Sequence, residues 1–396
     1  MRVLAVNCGS SSLKLRLCDA GDHEIRSLAT GVVAGIGADA HVSFHPANGV
    51  GSRETASIPG YRTALRALLD LLGEERRTIE AVGHRVVRGG EFVHPAVIDD
   101  AVMAAIEAER KVAPLHTGPS LEGIAAAREY LPGVPMVAVF DTAFHSTLPA
   151  VAAGYALPHE LVRKHRLRRS GYHGIAHRSM AERYAELAGR APDDVTLITL
   201  QLGSGCSAAA VSGGKSVDTS MGFTPLEGLM MATRPGDLDP GAVSYLLREA
   251  GMSIEDVDGM LSQKSGLLGV SGVSEDIAVV LDEESRGNAR AHHAIEMFCY
   301  RVRKYIGAYF AVLGKVEAVV FGGGIGEHQP EVRRRICEPL ECLGIRVDRG
   351  RNVSLDGQEG RLSADGSTVD AWVIPSDEER IIVRDAYLVL RGRQGP

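Results

Sequence analysis

The feature that most constrains this chain is a short apolar run, a polar turn and an alternating run, occurring twice. Residues 3–17 read VLAVNCGSSSLKLRL. Leu13, Leu15 and Leu17 alternate with Lys14 and Arg16, the period of a half-buried strand. The stretch predicts a β-hairpin with Asn7, Gly9, Ser10, Ser11 and Ser12 in its turn and Lys14 just beyond. Such a turn gathers backbone N–H groups, hydroxyls and a cation, which suits the oxygens of a phosphate chain. An ordinary polar hairpin fits the same stretch. It is not a P-loop, since GxxxxGK[ST] is missing and a strand follows the turn where a P-loop has a helix.

Residues 195–211, VTLITLQLGSGCSAAAV, repeat the pattern with Gly203-Ser204-Gly205 as the turn. The likeness is of pattern, not of residue identity, and it predicts an internal duplication. A chain of 396 residues is long enough for two or three domains with large cores. Apolar residues make up 45% and the formal net charge is -7, which argues against nucleic acid as the main partner. The apolar run after Arg2 stops at Asn7, too short for a signal peptide, and no stretch approaches the ~20 apolar residues that span a bilayer. Six cysteines without CxxC or metal-ligand spacing read as reduced thiols of a cytoplasmic protein.

Further elements follow from periodicity and breakers. Tyr61–Leu72 reads as an amphipathic helix stopped by Gly73, and Ile79–Val87 as a strand. Asp99 or Asp100 caps a helix running to about Lys111. Ala113 to Pro119 reads as a breaker-rich loop, with Ser120 capping the next helix. Val134–Phe140 is a buried strand that delivers Asp141 at its C-terminal end, where open α/β sheets bind ligands. Helices are expected over 176–188, 241–250 and 289–313, strands over 316–321 and 372–374, and a last helix over 377–390. Asp218 to Gly241 is a long loop, and loops of that length are usually functional.

Several residues carry chemistry. Arg85 sits in a strand pattern, and a buried Arg needs an anionic partner, either a structural carboxylate or a ligand. Arg234, on the long loop, could clamp an anion bidentately or pair with Asp237 or Asp239. Asp141 could orient a nucleophile or a metal-bound water, or cap the next turn. His116 and His173 lie in loops flanked by Gly and Pro. Together with Arg85, Arg234 and Asp141 they would stabilise charge in phosphoryl transfer. Gly322-Gly323-Gly324-Ile325-Gly326 follows an apolar strand, either as a tight joint or as a seat for a flat ligand. Ser376 and Glu379 fit a capping box, which makes Glu379 structural and leaves Glu378 for a metal or its waters.

With these residues collected, the chain closely resembles the acetate kinase family over nearly its whole length. The matching motifs are NCGSSSLK (7–14), GHRVVRGGE (83–91), APLH (113–116), FDTAFH (140–145), RRSGYHG (168–174), LGSG (202–205), GFTPLEGLMMATRPGDLDP (222–240), FGGGIGE (321–327) and IPSDEE (374–379). The resemblance implies an α/β fold of the duplicated actin-like (ribonuclease H-like, ASKHA) type, two domains with a cleft between them. The first would cover 1–148 plus 377–396, and the second, carrying the nucleotide site, 149–376. It implies a cytoplasmic homodimer that transfers the γ-phosphoryl of ATP to acetate, reversibly and in line, giving acetyl phosphate and ADP with Mg²⁺ (or Mn²⁺). Propionate or butyrate as acceptor is the alternative acyl substrate. A nucleotide-binding regulator with weakened catalysis on the same fold is the alternative from another class.

Carried over residue by residue, Asn7 and Glu378 lie on the metal side. Ser10, Ser12, Lys14 and Ser204 contact phosphates. Arg85 and Arg234 bind the carboxylate and the transferring group, Asp141 orients acetate or metal, and His173 stabilises the equatorial oxygens with His116 in support. Val87, Leu115, Tyr172 and Pro225 form the methyl pocket, and Gly322, Gly323, Gly324 and Gly326 lie along the adenosine. The chain departs from the family's usual residues at Gln201 (His), Ser204 (Asn), Tyr172 (Phe), Thr117-Gly118-Pro119 (Asn-Pro) and Ile175-Ala176 (Thr-Ser). Those departures bear on the phosphoryl donor and on the acyl substrate.

Overall fold

A computed structural model describes residues 1–9, 11–37, 39–112 and 114–393, with only the backbone of 114–116. Ser10 and the side chains of Leu115 and His116 therefore lie outside the described residues. The chain divides into two compact units, Met1–Ala143 with Asp377–Pro396, and Phe144–Ser376.

The first unit is built on an eight-stranded sheet, β5-β4-β3-β2-β1-β6-β8-β7. Its strands are β1 (Arg2–Cys8), β2 (Ser12–Ala20), β3 (Ile25–Ala34), β4 (Asp39–Pro46), β5 (Ser52–Ser57), β6 (Ala81–Val86), β7 (Ala96–Val97) and β8 (Met136–Phe140). β1, β2 and β3 form an antiparallel meander, while β1, β6 and β8 run parallel. The alternation in β2 places Leu13, Leu15 and Leu17 in the core, with Leu65, Leu68 and Leu69 of the Tyr61–Leu71 helix and Ile124 of the Pro114–Tyr130 helix. Lys14 on the other face is exposed. That other face is covered by the Glu378–Leu390 helix, which packs on β1, β2, β6 and β8. Gly83 is needed there, because a Cβ would stand 2.7 Å from Ile382 Cγ2 and 3.0 Å from its carbonyl oxygen.

The second unit holds a six-stranded sheet, β11-β10-β9-β12-β14-β13. Its strands are β9 (Thr196–Leu202), β10 (Cys206–Ser212), β11 (Lys215–Thr219), β12 (Ala318–Gly322), β13 (Gly360–Arg361) and β14 (Asp370–Val373). An antiparallel meander, β9 to β11, again leads into parallel neighbours, β9, β12 and β14. Five strands thus recur in the same order and sense, and the two polar turns of the sequence occupy equivalent places, between β1 and β2 and between β9 and β10. The Gly174–Leu187 helix packs Met180, Tyr184 and Ala185 against Leu197, Val211 and Val320. The long Ala289–Leu313 helix buries Ile295, Phe298, Val302 and Ile306 along one side.

The second compact unit begins at Phe144, which packs on its core, and His145 and Thr147 bond Ser216. Three local expectations are corrected. Residues 114–119, expected as loop, begin the Pro114–Tyr130 helix, with Pro119 inside it. Burial of Leu121, Ile124, Ala126 and Ala127 outweighs the breakers. The glycine run after β12 opens a short helix, Gly323–His328. Asp377, not Ser376, caps the last helix, its Oδ1 accepting from Arg380 N at 3.1 Å. All six cysteines are free, and five are buried. Among the described residues no helix is long and apolar enough to cross a membrane.

Candidate active site

In the first unit a charged cluster forms where β1, β6, β8 and the last helix meet. Asn7 is the penultimate residue of β1, and Arg85 projects from β6 beside it. Asp141 follows β8, whose register sets Phe140 against Val86. Arg85 Nη2 donates to Asp141 Oδ2 at 2.6 Å, with side-chain exposures of 12% and 0%. Its Nη1 donates to Asn7 Oδ1 at 3.4 Å. Asn7 Nδ2 donates in turn to Glu378 Oε2 (2.8 Å) and Glu379 Oε1 (2.9 Å). The amide orientation follows from charge, with the NH₂ facing two carboxylates and the oxygen facing the guanidinium. Asp141, Glu378 and Glu379 act together to raise the Arg85 pKa, against a desolvation that would lower it. The strand-buried Arg85 therefore has its anionic partner within the protein. Its Nε is buried with no hydrogen-bond partner among the described residues.

Glu379 is the residue sequence reasoning misassigned. It is 8% exposed and holds Asn7, where a capping box was expected. The acidic pair after Asp377 was the available signal. Cys8, adjacent to Asn7, is pushed up to about 12 chiefly by burial and is no nucleophile at neutral pH. Among the described residues no group of three His, Cys, Asp or Glu is arranged for a metal. A hard cation that keeps its waters and binds mainly phosphate oxygens needs only one or two carboxylates, and the partly exposed Glu378 fits that demand. Asn7 fits as the group that orients Glu378.

The β1–β2 turn is tied down locally. Gly9 N donates to Ser12 O (2.8 Å), and Tyr61 Oη donates to Gly9 O (2.6 Å). Lys14, cross-strand from Asn7, shares its face. Val87 is buried at the end of β6 in the same unit.

In the second unit His173, Arg234 and Pro225 gather at the β9–β10 turn. A Cβ on Gly205 would stand 3.2 Å from His173 Cε1, 3.3 Å from its Nε2 and 3.9 Å from Arg234 Nη1. The turn's glycine thus lets both side chains approach. His173 has φ +57°, a left-handed conformation unusual for a residue with a Cβ, at the N-cap of the Gly174–Leu187 helix. Arg234 Nη1 donates to Pro225 O at 3.3 Å. The alternative partners for Arg234 are committed elsewhere. Asp237 accepts from Gly228 N and from Tyr305 Oη, and Asp239 caps a helix through Gly241 N. Among the described residues no carboxylate pairs with Arg234, and desolvation lowers its pKa. A partly buried cation without an internal anion is prepared for an external one.

Tyr172 is 2% exposed, and its hydroxyl donates to Phe223 O at 2.8 Å. The added polar group is thereby taken up by backbone, and the ring remains available as an apolar wall. Ser204 is exposed at the tip of the turn, with its carbonyl accepting from Ala232 N. The glycines after β12 separate by role. A Cβ on Gly322 would meet Met180 Sδ at 2.4 Å, and one on Gly323 (φ +75°) would meet Leu202 O at 2.5 Å, so both are required by packing. Gly324 is exposed and a Cβ there would meet nothing within 4 Å. Glu327 Oε1 steadies this turn by accepting from Gly323 N (2.8 Å) and Ser376 N (3.3 Å). Arg333, missed in the sequence, is 0% exposed and donates to the carbonyls of Gly326, Glu327, Asn352 and Leu355.

The chain matches the Acetokinase family across residues 2–384. It belongs to that family. It is 44% identical over 403 residues to the acetate kinase of Heliobacterium modesticaldum, covering 99% of this chain and 100% of that one. The crystal structure of Porphyromonas gingivalis acetate kinase aligns with a TM-score of 0.88 at 39% identity, covering 98% of this chain and 99% of that one. A propionate kinase from Francisella tularensis aligns with a TM-score of 0.89 at 37% identity and the same coverage. Relatives this near, over nearly full length, accord with the two-domain, duplicated actin-like α/β fold of this acetokinase.

Proposed function

We propose that this acetokinase is an acetate kinase, transferring the γ-phosphoryl of ATP to acetate reversibly to give acetyl phosphate and ADP. The observation that carries the reading to this chain's own residues is Arg234, a partly buried guanidinium without a carboxylate partner among the described residues, set beside His173 at a glycine turn. The family membership and the acetate kinases at 42–45% identity support the same reading.

In this mechanism an acetate carboxylate oxygen forms a bond to the γ-phosphorus in line with the bond to the β-bridging oxygen, which breaks and leaves with ADP. Acetate is already anionic at neutral pH, so no general base is needed and the protein's work is positioning and charge neutralisation. Arg234 and His173 donate to the transferring oxygens, and Arg85, fixed by Asp141 and Asn7, presents positive charge to the carboxylate. Ser10, Ser12, Lys14 and Ser204 contact the nucleotide phosphates, with Gly322, Gly323, Gly324 and Gly326 beside the adenosine and Gly324 the one open to it. The family resemblance assigns Val87, Leu115, Tyr172 and Pro225 to the methyl group and His116 to support of the transferring group. Glu378, oriented by Asn7, would hold Mg²⁺ or Mn²⁺. That ion supplies neutralisation of phosphate charge when bound. A cytoplasmic location and a homodimeric state belong to this reading, and light scattering tests the second.

The test is acyl phosphate trapped as hydroxamate, with ATP and C2 to C4 acids. Acetate is expected to give the highest kcat/KM. Discrimination against propionate should be shallow, since one methylene is worth about 1–3 kcal/mol. No product with any of the acids would overturn the proposal. A preference for propionate, the substrate class in the name of the Francisella structure, would move the protein to that branch.

A further inference from the structure

Behind His173 the second unit holds a buried hydrogen-bonded chain. His173 Nδ1 lies 2.9 Å from Ser207 Oγ, and Ser207 Oγ lies 2.8 Å from His177 Nε2. His177 Nδ1 lies 2.8 Å from Thr199 Oγ1. Ser207, His177 and Thr199 are all 0% exposed. The spacing is imposed by regular structure. His173 and His177 stand one turn apart at the head of the Gly174–Leu187 helix, and Ser207 and Thr199 project from the paired strands β10 and β9.

The Ser207 hydroxyl has one proton and faces two ring nitrogens. It can accept from both but donate to only one, so at least one of His173 Nδ1 and His177 Nε2 carries a hydrogen. Burial and the neighbouring His145 and His173 keep His177 neutral, with a single ring proton to place. With that proton on Nε2, the Ser207 hydroxyl is released to donate to His173 Nδ1, and the proton of a neutral His173 then sits on Nε2. That edge faces Gly205, whose Cβ position lies 3.3 Å from His173 Nε2 and 3.9 Å from Arg234 Nη1. The reverse order would turn a lone pair toward a phosphoryl oxygen, or would require a second cation beside Arg234 before any anion had arrived.

We propose that His177, acting through Ser207, is a positioning residue that fixes His173 as its Nε2–H tautomer, so that a neutral imidazole donates to the transferring phosphoryl group. The inference rests on the assignment of His173 to that group. The order of donors is Thr199 hydroxyl, His177, Ser207 and His173, each passing one hydrogen bond forward. No proton is transferred.

The test has two arms. In ¹⁵N-labelled wild-type protein without substrate, His173 is expected to show the protonated shift at Nε2 and the unprotonated shift at Nδ1. His177→Leu and Ser207→Ala should mix the tautomers. Kinetically, both variants should lose about 10- to 100-fold in kcat, with KM for ATP and acetate changed less than about threefold. His177→Gln, whose amide can still donate to Ser207, should recover most of the loss. A wild-type spectrum with the proton on Nδ1 would overturn the proposal, as would a folded Ser207→Ala enzyme with unchanged kcat and tautomer. Ser207→Ala removes one oxygen, so it carries the test if His177→Leu does not fold. Failure of the wild type to make any acyl phosphate would count against the functional assignment, and the spectra would still decide the tautomer.

Discussion

Replacing Arg85 by Met keeps most of its volume and removes the cation from a cluster of three carboxylates, Asp141, Glu378 and Glu379. Asp141 is fully buried, and its Oδ2 takes the shortest of the cluster's bonds, 2.6 Å. With charge centres about 4 Å apart and an effective dielectric of about 20, the attraction is about 4 kcal/mol. Breaking a buried pair from one side usually costs about 3–5 kcal/mol. Arg85→Met should fall at the upper end, because it leaves a buried carboxylate next to two more. Asp141→Asn should fall at the lower end, because Arg85 keeps Asn7 Oδ1 and the two glutamates. The double variant should cost at least about 2 kcal/mol less than the sum, since each single change strands the other group. Two units make one melting temperature ill-defined, so the measurement is native-state hydrogen exchange on β1, β6 and β8 amides. If Asp141→Asn proves costlier than Arg85→Met, or the two effects simply add, the cluster is not held together by this charge balance.

Arg234→Met should lower kcat by about 10³-fold if the guanidinium works as a transition-state clamp. The same change should leave second-unit hydrogen exchange unchanged or slower, because it removes a partly desolvated cation without an internal partner. Near-normal turnover would remove Arg234 from the mechanism. Gly205→Ala places a methyl 3.2 Å from His173 Cε1, so the ring must shift by a few tenths of an ångström. A drop in kcat of about tenfold, with stability changed by less than about 1 kcal/mol, is expected from steady-state kinetics and urea unfolding. His84 is 2% exposed, its Nε2 has no partner among the described residues, and burial with Arg128 nearby pushes its pKa from 6.5 down to about 3. Between those values the unfolded chain binds a proton that the folded chain refuses, so stability falls as pH falls from 6.5 toward 3. The ceiling of that loss is about 4–5 kcal/mol, and His84→Gln should flatten the fall in urea midpoint between pH 7 and pH 4.

Much of this molecule is legible in its residues. The period-2 alternation of Leu13, Leu15 and Leu17 and the 3.6-period faces of 61–72 and 289–313 report burial on one side, which is what those elements have. Where long-range packing decides, sequence misleads. Pro119 and Gly118 read as a loop, yet the apolar face that follows them carries the helix through. Glu379 looks like a cap because its spacing from Ser376 fits one, while its actual partner, Asn7, lies at the other end of the chain. The same remoteness hides the Ser207 link between His173 and His177. A histidine pair at helical spacing is visible in sequence, but the strand residue that joins them is known only once β10 lies alongside. Arg234 is the opposite case. Its candidate partners Asp237 and Asp239 are visible in sequence, and only geometry shows that both are engaged elsewhere.

The last helix, Glu378–Leu390, belongs to the first unit although the whole second unit intervenes. During synthesis the strands β1 to β8 emerge early and must wait for the helix that covers β1 and β6. At about 5–20 residues per second, translation of residues 144–376 takes roughly 10–50 s. Through that interval the face bearing Gly83 stands open to water and chaperones, and Asn7 lacks both of its carboxylates. The Arg85 guanidinium meanwhile has only Asp141 to answer it. An order of manufacture is thus written into the cluster. Its acidic half is delivered last, so the bonds from Asn7 to Glu378 and Glu379 cannot form until residues 377–390 have cleared the ribosome. A stalled or truncated chain is left with an uncovered sheet, a ready target for quality control, instead of a half-competent kinase.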